Sequence, residues 1–421
     1  MPGIYNRRLL HRTLLFTDTI GRTPAPILLL VIVALAVSAA WTWFHATHEL
    51  VLGYIAGLGL ALFIAGDWAM LAWLPRTGRS FGPVGFPLLA LAGARWMLNA
   101  TAFVPATPLW TLALLTIGNL AMTGNVLDSL WGEPFRLGVT QLQVVSPKWA
   151  GNLPLRILHL SDLHMERITV RERRLLELID DLRPDLIVFT GDLLNLSYVH
   201  DARAQADCRE VLAKLRAPLG VFAVSGSPPV DPPELVTKLM DGLDIRRLHN
   251  KAQRVPMPSG DAPALTLVGI TCTFDARTDG QTLDQVMATI PDSPPAPFTL
   301  LLYHSPDLMP QAVRAGVDLY LCGHTHGGQI RLPLVGALVT SSQFWKKYEM
   351  GRYVEKNTMM YVSRGIGMEG MGAPRARFLC PPEIELIEMR GPDTSPPPSR
   401  RLGGRLFSRW RSLPKRPARN A

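Results

Sequence analysis

The chain has 421 residues, is 48% hydrophobic and only 18% charged, and carries a formal net charge of +9. That is too apolar for an ordinary soluble enzyme, and the length allows a membrane part plus one globular domain large enough for its own core. Four widely spaced cysteines, Cys208, Cys272, Cys322 and Cys380, form no metal-ligand pairs and argue against a disulfide framework.

The apolar excess lies at the front. Residues 27–44 contain no ionisable side chain and read as a spanning helix, which needs about 20 apolar residues. Residues 50–74 form a second span carrying Asp67, and residues 84–104 a third carrying Arg95 and Asn99. Residues 109–130 form a fourth, with Asp128 near its end. A cleaved leader is the alternative for the first segment, but the further apolar segments argue against simple secretion. Arg7, Arg8, Arg12 and Arg22 precede the first span, Arg76 and Arg79 lie between the second and third, and Arg136 and Lys148 follow the fourth. The other two loops have neither Lys nor Arg, so the positive-inside rule puts both termini in the cytoplasm. The expectation is a multi-pass protein of the cell inner membrane with its globular domain on the cytoplasmic side. Asp67 and Arg95 are costly in lipid and mark either a functional site or, the preferred reading, positions that face the bundle interior or an interface; they can also pair with each other.

Strands then alternate with amphipathic helices. Strands are expected at 155–160, 185–190, 220–225, 264–270, 298–303, 317–322, 359–363 and 384–389, with helices at 170–182 and near 202–215. The later strands lack regular helical crossovers, so a mixed pair of sheets flanked by helices is expected. Residues 256–263 and 291–297 are proline-bearing and read as surface loops.

Polar clusters follow four of these strands: Ser161-Asp162-Leu163-His164, Gly191-Asp192, His304, and Gly323-His324-Thr325-His326. In an extended segment side chains at i and i+2 point the same way, so Asp162 with His164, and His324 with His326, can each grip one ion. Mixed His and carboxylate ligands suit Zn, Mn or Fe better than Ca or Mg. A lone His after a strand is ordinarily structural; four clusters in this order are a stronger signal. Cys322 reads as a buried strand residue.

The chain closes on a proline-rich stretch, 392–398, and a tail, 400–421, with eight basic residues and no acid. Leu402, Leu406, Phe407 and Trp410 are interleaved. Beside a membrane this reads as contact with anionic lipid, worth about 1 kcal/mol per basic residue near the surface. A solvated, disordered tail ranks next, and nucleic acid last.

The order Asp-x-His, Gly-Asp, a glycine-led loop, His, then Gly-His-x-His resembles the calcineurin-like metallophosphoesterase family over roughly residues 155–389. Gly323-His324-Thr325-His326-Gly327-Gly328-Gln329, Ser363-Arg364-Gly365-Ile366-Gly367 and Arg377-Phe378 resemble its membrane-associated bacterial branch, whose members cleave phosphodiesters or lipid-linked pyrophosphates. The resemblance implies a four-layer α/β/β/α sandwich behind N-terminal transmembrane helices. The expected division is a transmembrane region of about four helices at 1–150, the phosphoesterase domain at 151–390 and the tail at 391–421. It implies that Asp162, His164 and His326 hold a first divalent ion, that His304 and His324 hold a second, and that Asp192 bridges both as the catalytic carboxylate. The chain departs from the family at one loop. Where the family has Gly-Asn-His followed by an acid, this chain has Gly226-Ser227-Pro228-Pro229-Val230-Asp231. Serine is a poorer ligand than an amide carbonyl, and proline has no side-chain donor. Asp231 either reaches inward or caps a helix with Pro232 at its first position, the second being preferred.

Two functions follow. The leading one is a membrane-anchored, metal-dependent phosphoesterase hydrolysing a phosphodiester or pyrophosphate, with a lipid as the favoured carrier. The alternative is a degenerate metal-binding module for sensing or scaffolding at the membrane, motivated by Ser227-Pro228.

Overall fold

The computed structural model describes residues 16–103, 108–149, 154–255, 265–291 and 296–392. The basic tail and most of the two proline-bearing loops lie outside them. Helix α1 is described over residues 16–21. Helices α2 (Ala25–Thr47) and α3 (Leu50–Trp73) follow, joined through His48, which lies in the left-handed region at φ 58°. Ile27, Leu30, Val33, Val37 and Trp41 point outward and are exposed. A helix apolar all round is what lipid contact needs. Small residues bring the pair close: a Cβ on Gly57 would stand 2.7 Å from the Ala36 carbonyl oxygen. Among the described residues three helices, spanning 25–47, 50–77 and 108–135, are long and apolar enough to cross a membrane.

The third expected span takes another form. Helix α4 covers only Gly85–Met97 and gives way to a 3-10 turn, Leu98–Phe103. Its 13 helical residues and the six that follow still extend roughly 31 Å, close to the thickness of a bilayer's hydrocarbon core. Arg95 holds this segment in the bundle. Its guanidinium is fully buried and bidentate with Asp67 of α3, at 2.6 and 2.7 Å. The remaining donors reach the Asn119 carbonyl and side-chain oxygens at 3.0 and 3.1 Å and Thr123 Oγ1 at 2.9 Å, both residues on α5 (Pro108–Leu127). Every N–H of Arg95 is thereby used, which offsets the cost of a charge in an apolar bundle. Asp67 and Arg95 thus face the bundle interior, and their pairing joins three helices.

Contacts also place the helix ends. Ile20 and Gly21 pack on Gly85 and Pro83. The Phe81 N–H donates to Glu166 at 3.1 Å, and the Phe81 carbonyl accepts from Tyr198 at 2.7 Å. Past the end of α5, the Ser129 carbonyl accepts from the Arg377 N–H at 2.9 Å. Thr17 of α1, the α3–α4 connection and the end of α5 all meet the globular part.

The globular fold begins before residue 151, which corrects the expected boundary. Strand β1 (Gly138–Val145) pairs in parallel with β14 (Glu383–Arg390) along its whole length. The first sheet runs β1, β14, β2 (Leu155–Leu160), β3 (Leu186–Phe189), β4 (Val221–Ala223), β5 (Ile245–Arg247). The second runs β12 (Gly351–Glu355), β13 (Thr358–Val362), β9 (Leu319–Cys322), β8 (Phe298–Leu302), β7 (Leu265–Gly269), β6 (Lys251–Val255). A two-stranded hairpin, β10 (Arg331–Leu332) and β11 (Gly336–Ala337), stands apart.

Ile157, Val188 and Phe222 of the first sheet pack with Leu267, Leu300 and Leu321 of the second to form the middle of the sandwich. Helices α6 (Val170–Leu182), α7 (Ala202–Leu212) and α8 (Pro233–Met240) cover the outer face of the first sheet. Helix α6 shows why: Leu175, Leu178, Ile179 and Leu182 recur at helical spacing on one buried face, and Thr169 with Glu172 closes a capping box at its start. Helices α9 (Ala276–Met287) and α10 (Met309–Arg314) cover the second sheet. The result is the mixed α/β, four-layer arrangement.

Candidate metal centre

The parallel strands β2, β3 and β4 of one sheet and β8 and β9 of the other end at one edge of the sandwich, and the loops that follow them carry the site. The loops are laced by backbone hydrogen bonds. Asp162 N–H donates to the Gly191 carbonyl at 2.9 Å, His164 N–H to the Asp192 carbonyl at 3.0 Å, and Gly323 N–H to the His304 carbonyl at 2.8 Å. Five of the six predicted ligands, Asp162, His164, Asp192, His324 and His326, have positive φ. Non-glycine residues in that region cost of order 1–3 kcal/mol each, and such strain gathers where a side chain must be aimed. The pairs Asp162/His164 and His324/His326 are therefore set by turns and not by the alternation of an extended strand.

All six side chains come together in two groups. Asp162, His164 and His326 form one; Asp192, His304 and His324 form the other; within each, candidate ligand atoms lie within 4.8 Å of one another. This overturns the spacing-based reading that His324 and His326 grip one ion: the turn between them sends them to different groups, as the family resemblance implies. Asp192 stands between the groups, its Oδ2 3.5 Å from His164 Nε2 and 3.2 Å from His304 Nε2.

The electrostatics suit a cation. His164 Nε2 and His326 Nε2 are 2.9 Å apart, so the two nitrogens either share one proton or face one ion. Burial, the neighbouring His164 and the Arg377 guanidinium hold the His326 pKa well below the ordinary range, keeping its ring neutral. Burial opposes a charge on His304, but the Asp192 and Asp162 carboxylates outweigh it and raise its pKa to about 9. Burial likewise opposes ionisation of Asp192, and the imidazoles of His304, His164 and His324 outweigh it and drive its pKa well down. Burial raises the pKa of Asp162. The pocket draws positive charge onto itself, and a metal ion can replace that proton.

Outer contacts fix the rings. His304 Nδ1 lies 2.8 Å from the Thr190 carbonyl, which directs Nε2 inward. Arg377 is fully buried, with Nη2 3.3 Å from His326 Nδ1. Behind Asp162, Glu385, His159, Thr190 and Ser161 form a buried chain with successive separations of 2.9, 2.8 and 2.7 Å. The roles of Arg377 and of this chain were missed by sequence reasoning; His159 and Glu385 sit on ordinary-looking strands, and only their burial marks them.

The departing loop is placed clearly. Ser227 is buried, with Oγ 3.1 Å from His304 Nε2, 3.2 Å from Asp192 Oδ2 and 3.5 Å from His324 Nδ1. Pro228 is exposed. Asp231 is neither a ligand nor a helix cap: α8 has Pro232 as its cap residue and starts at Pro233. The Asp231 carboxylate instead accepts from the N–H groups of Asp192 and Gly226, both at 2.8 Å, and of Leu193 at 3.0 Å. It ties the loop after β4 to the loop that aims Asp192. Burial and the nearby Asp192 charge raise its pKa to about 6.

Comparison with known proteins agrees with this geometry. A family model described as calcineurin-like phosphoesterase matches residues 155–227. An uncharacterized metallophosphoesterase of Bacillus subtilis, YkuE, is 30% identical over 283 residues, covering 66% of this chain and 93% of the relative. The UDP-2,3-diacylglucosamine pyrophosphatase LpxG of Chlamydia trachomatis is 26% identical, covering 66% of this chain and 96% of the relative. The phosphodiesterase YaeI of Escherichia coli is 28% identical, covering 56% and 82% respectively.

Proposed function

We propose, from the premise that this chain belongs to the calcineurin-like metallophosphoesterase family and is a hydrolase of its membrane-associated branch, that it cleaves a phosphodiester or pyrophosphate presented at a membrane, with a lipid-linked phosphate as the favoured substrate. The observation that carries the reading is the pair of buried three-ligand groups with Asp192 between them, on a chain whose apolar helices meet the same sandwich. An anchor of this kind raises the effective concentration of substrate held in the same bilayer. Two divalent ions of the Mn, Fe or Zn class would supply Lewis acidity and a bound water of lowered pKa. Asp162, His164 and His326 would hold one; Asp192, His304 and His324 the other, with Asp192 serving both. Ser227 would present its hydroxyl to the second position, where the family has an amide. The Thr190 carbonyl holds His304 in the tautomer that keeps Nε2 directed inward.

A second reading rests on Pro228: with no side-chain donor there, the domain would bind metal and signal or scaffold without efficient turnover. Purified full-length protein, stripped with chelator and titrated with manganese, separates the two. The expected result is two occupancies, the second weaker because a hydroxyl replaces an amide carbonyl, and turnover of bis-p-nitrophenyl phosphate that returns with the metal. Metal binding without turnover favours the second reading; no stoichiometric metal under any loading condition defeats both.

The polar side of the bundle carries Arg22, Arg76, Arg79 and Arg136, all at ends that meet the sandwich. By the positive-inside rule the catalytic domain is cytoplasmic in the inner membrane. Alkaline phosphatase fused after Met389 is therefore expected to stay inactive, whereas a cytoplasmic reporter at the same point should be active. The reverse pattern would turn the site toward extracytoplasmic substrates.

A further inference from the structure

Among the described residues of the sandwich, ten large apolar side chains are exposed, and six of them fall within residues 332–345: Leu332, Leu334, Val335, Leu338, Val339 and Trp345. Scattered exposed apolar residues need no explanation, but a contiguous group does. This group is the β10–β11 hairpin and the segment leading out of it, and Leu334 at its tip is fully exposed. Sequence and hydrogen bonding place it between the metal centre and the membrane helices. On one side the hairpin grows directly from the loop of His326: Arg331 Nη1 donates to the Gly327 carbonyl at 2.7 Å, and Gly328 packs on Ala337. On the other side, Arg331 N–H donates to the Phe378 carbonyl at 3.0 Å, and Ile330 bridges Phe378 in parallel. The next residues, Leu379 and Cys380, donate their N–H groups to Glu133, and Arg377 donates to Ser129. Ser129 and Glu133 lie in the turns that end α5.

We infer that this hairpin dips into the surface of the leaflet in which the chain's own helices end. Only the segment 377–380, bridged to Ile330 at Phe378 and bonded to Glu133, separates it from the turns that end α5, and bridged chains lie about 4.8 Å apart, so the bilayer surface is within its reach. Its composition fits that depth. Leu and Val stand at the tip, Trp345 follows, and Lys346 folds back with its ammonium 2.9 Å from the Val335 carbonyl. Apolar side chains beside a Trp and a Lys are the mixture that suits the boundary between acyl chains and headgroups. Because the hairpin is braced on the His326 loop, its insertion would fix the metal centre at headgroup level. The inference rests on anchoring by the helices and is independent of turnover.

All four native cysteines are buried, which permits single labelling sites. Full-length Leu334→Cys carries an environment-sensitive fluorophore in vesicles of phosphatidylethanolamine and phosphatidylglycerol, with or without brominated acyl chains. Gln253→Cys on the exposed edge strand β6 is the control, and Val339→Cys repeats the measurement on the hairpin. Labels at 334 and 339 are expected to be quenched at least twofold more by brominated lipid than the label at 253. Equal quenching at hairpin and control, strong or absent, overturns the inference, and would leave a second copy or a partner protein as the cover for this patch. Flotation of the vesicles reports anchoring separately: protein that does not float overturns both the anchor and the hairpin contact, whatever its phosphoesterase activity.

Discussion

Asp192→Ala should lower metal affinity at both positions by at least about 100-fold, since losing even an outer-shell partner of a metal ligand costs about 10–100-fold. The reason is geometric. Asp192 Oδ2 lies within 3.5 Å of a ligand nitrogen from each group, His164 and His304. Its removal also deletes the negative charge that draws a cation toward His304. Turnover should fall with the metal. His249→Ala is the matched control: that ring lies 2.8 Å from Thr271 on an exposed loop and touches neither group. Metal analysis of both proteins, with circular dichroism to check folding, decides the matter. Loss at one position only would restrict Asp192 to the second ion, and equal behaviour of the two variants would defeat the ligand assignment.

Much of this was legible because the relevant signals are local. Phe298–Leu302 and Leu319–Cys322 are buried along their length and almost wholly apolar, and Leu155–Leu160 is apolar but for Arg156 and His159, so their ends, and the ligands placed there, could be found from the sequence. Strands β5, β6 and β12 were not expected. They are short edge or near-edge strands with exposed polar residues such as Lys251, Arg254 and Arg352, and no apolar run marks them. Strand β1 was absorbed into the membrane region because its partner, β14, is more than two hundred residues away in sequence. The same limit explains His324 and His326. Period-two spacing places side chains only while the backbone is extended, and both residues sit at positive φ. The break of the third segment into α4 and a 3-10 turn is not legible for a related reason: composition reports whether a segment tolerates lipid, whereas the pairing of Arg95 with Asp67 and Asn119, which fixes how α4 sits, is a tertiary property. Asp231 showed a carboxylate next to a helix start, and nothing local revealed that its oxygens would turn back to the Asp192 loop.

The loop that departs from the family offers the most informative gain-of-function experiment. Ser227→Asn with Pro228→His should raise turnover of a model phosphodiester at least about tenfold, because a correctly placed general acid is typically worth about 10²–10⁴-fold. The Asn would bring a carbonyl oxygen toward the position now reached by Ser227 Oγ, among Asp192, His304 and His324. Pro228 is exposed, so a His there has room, but the turn that carries it is tight: the N–H groups of Val230 and Asp231 both donate to the Ser227 carbonyl, at 2.9 and 2.8 Å. Pro228→His alone separates the parts. If the general acid is what the loop lacks, the single variant should raise kcat and add a limb to the pH profile without changing metal affinity; Ser227→Asn alone should tighten the second ion and leave the profile unchanged. A wild-type enzyme that is already efficient, and that the double substitution slows, would mean that the loop lacks nothing. Asp231 is occupied by three backbone N–H groups and is not free to fill the ligand role, so a water beside Ser227 would then complete the site. The native loop would be a working variant of the family's, and the reading of this domain as a catalytically weak module would fall.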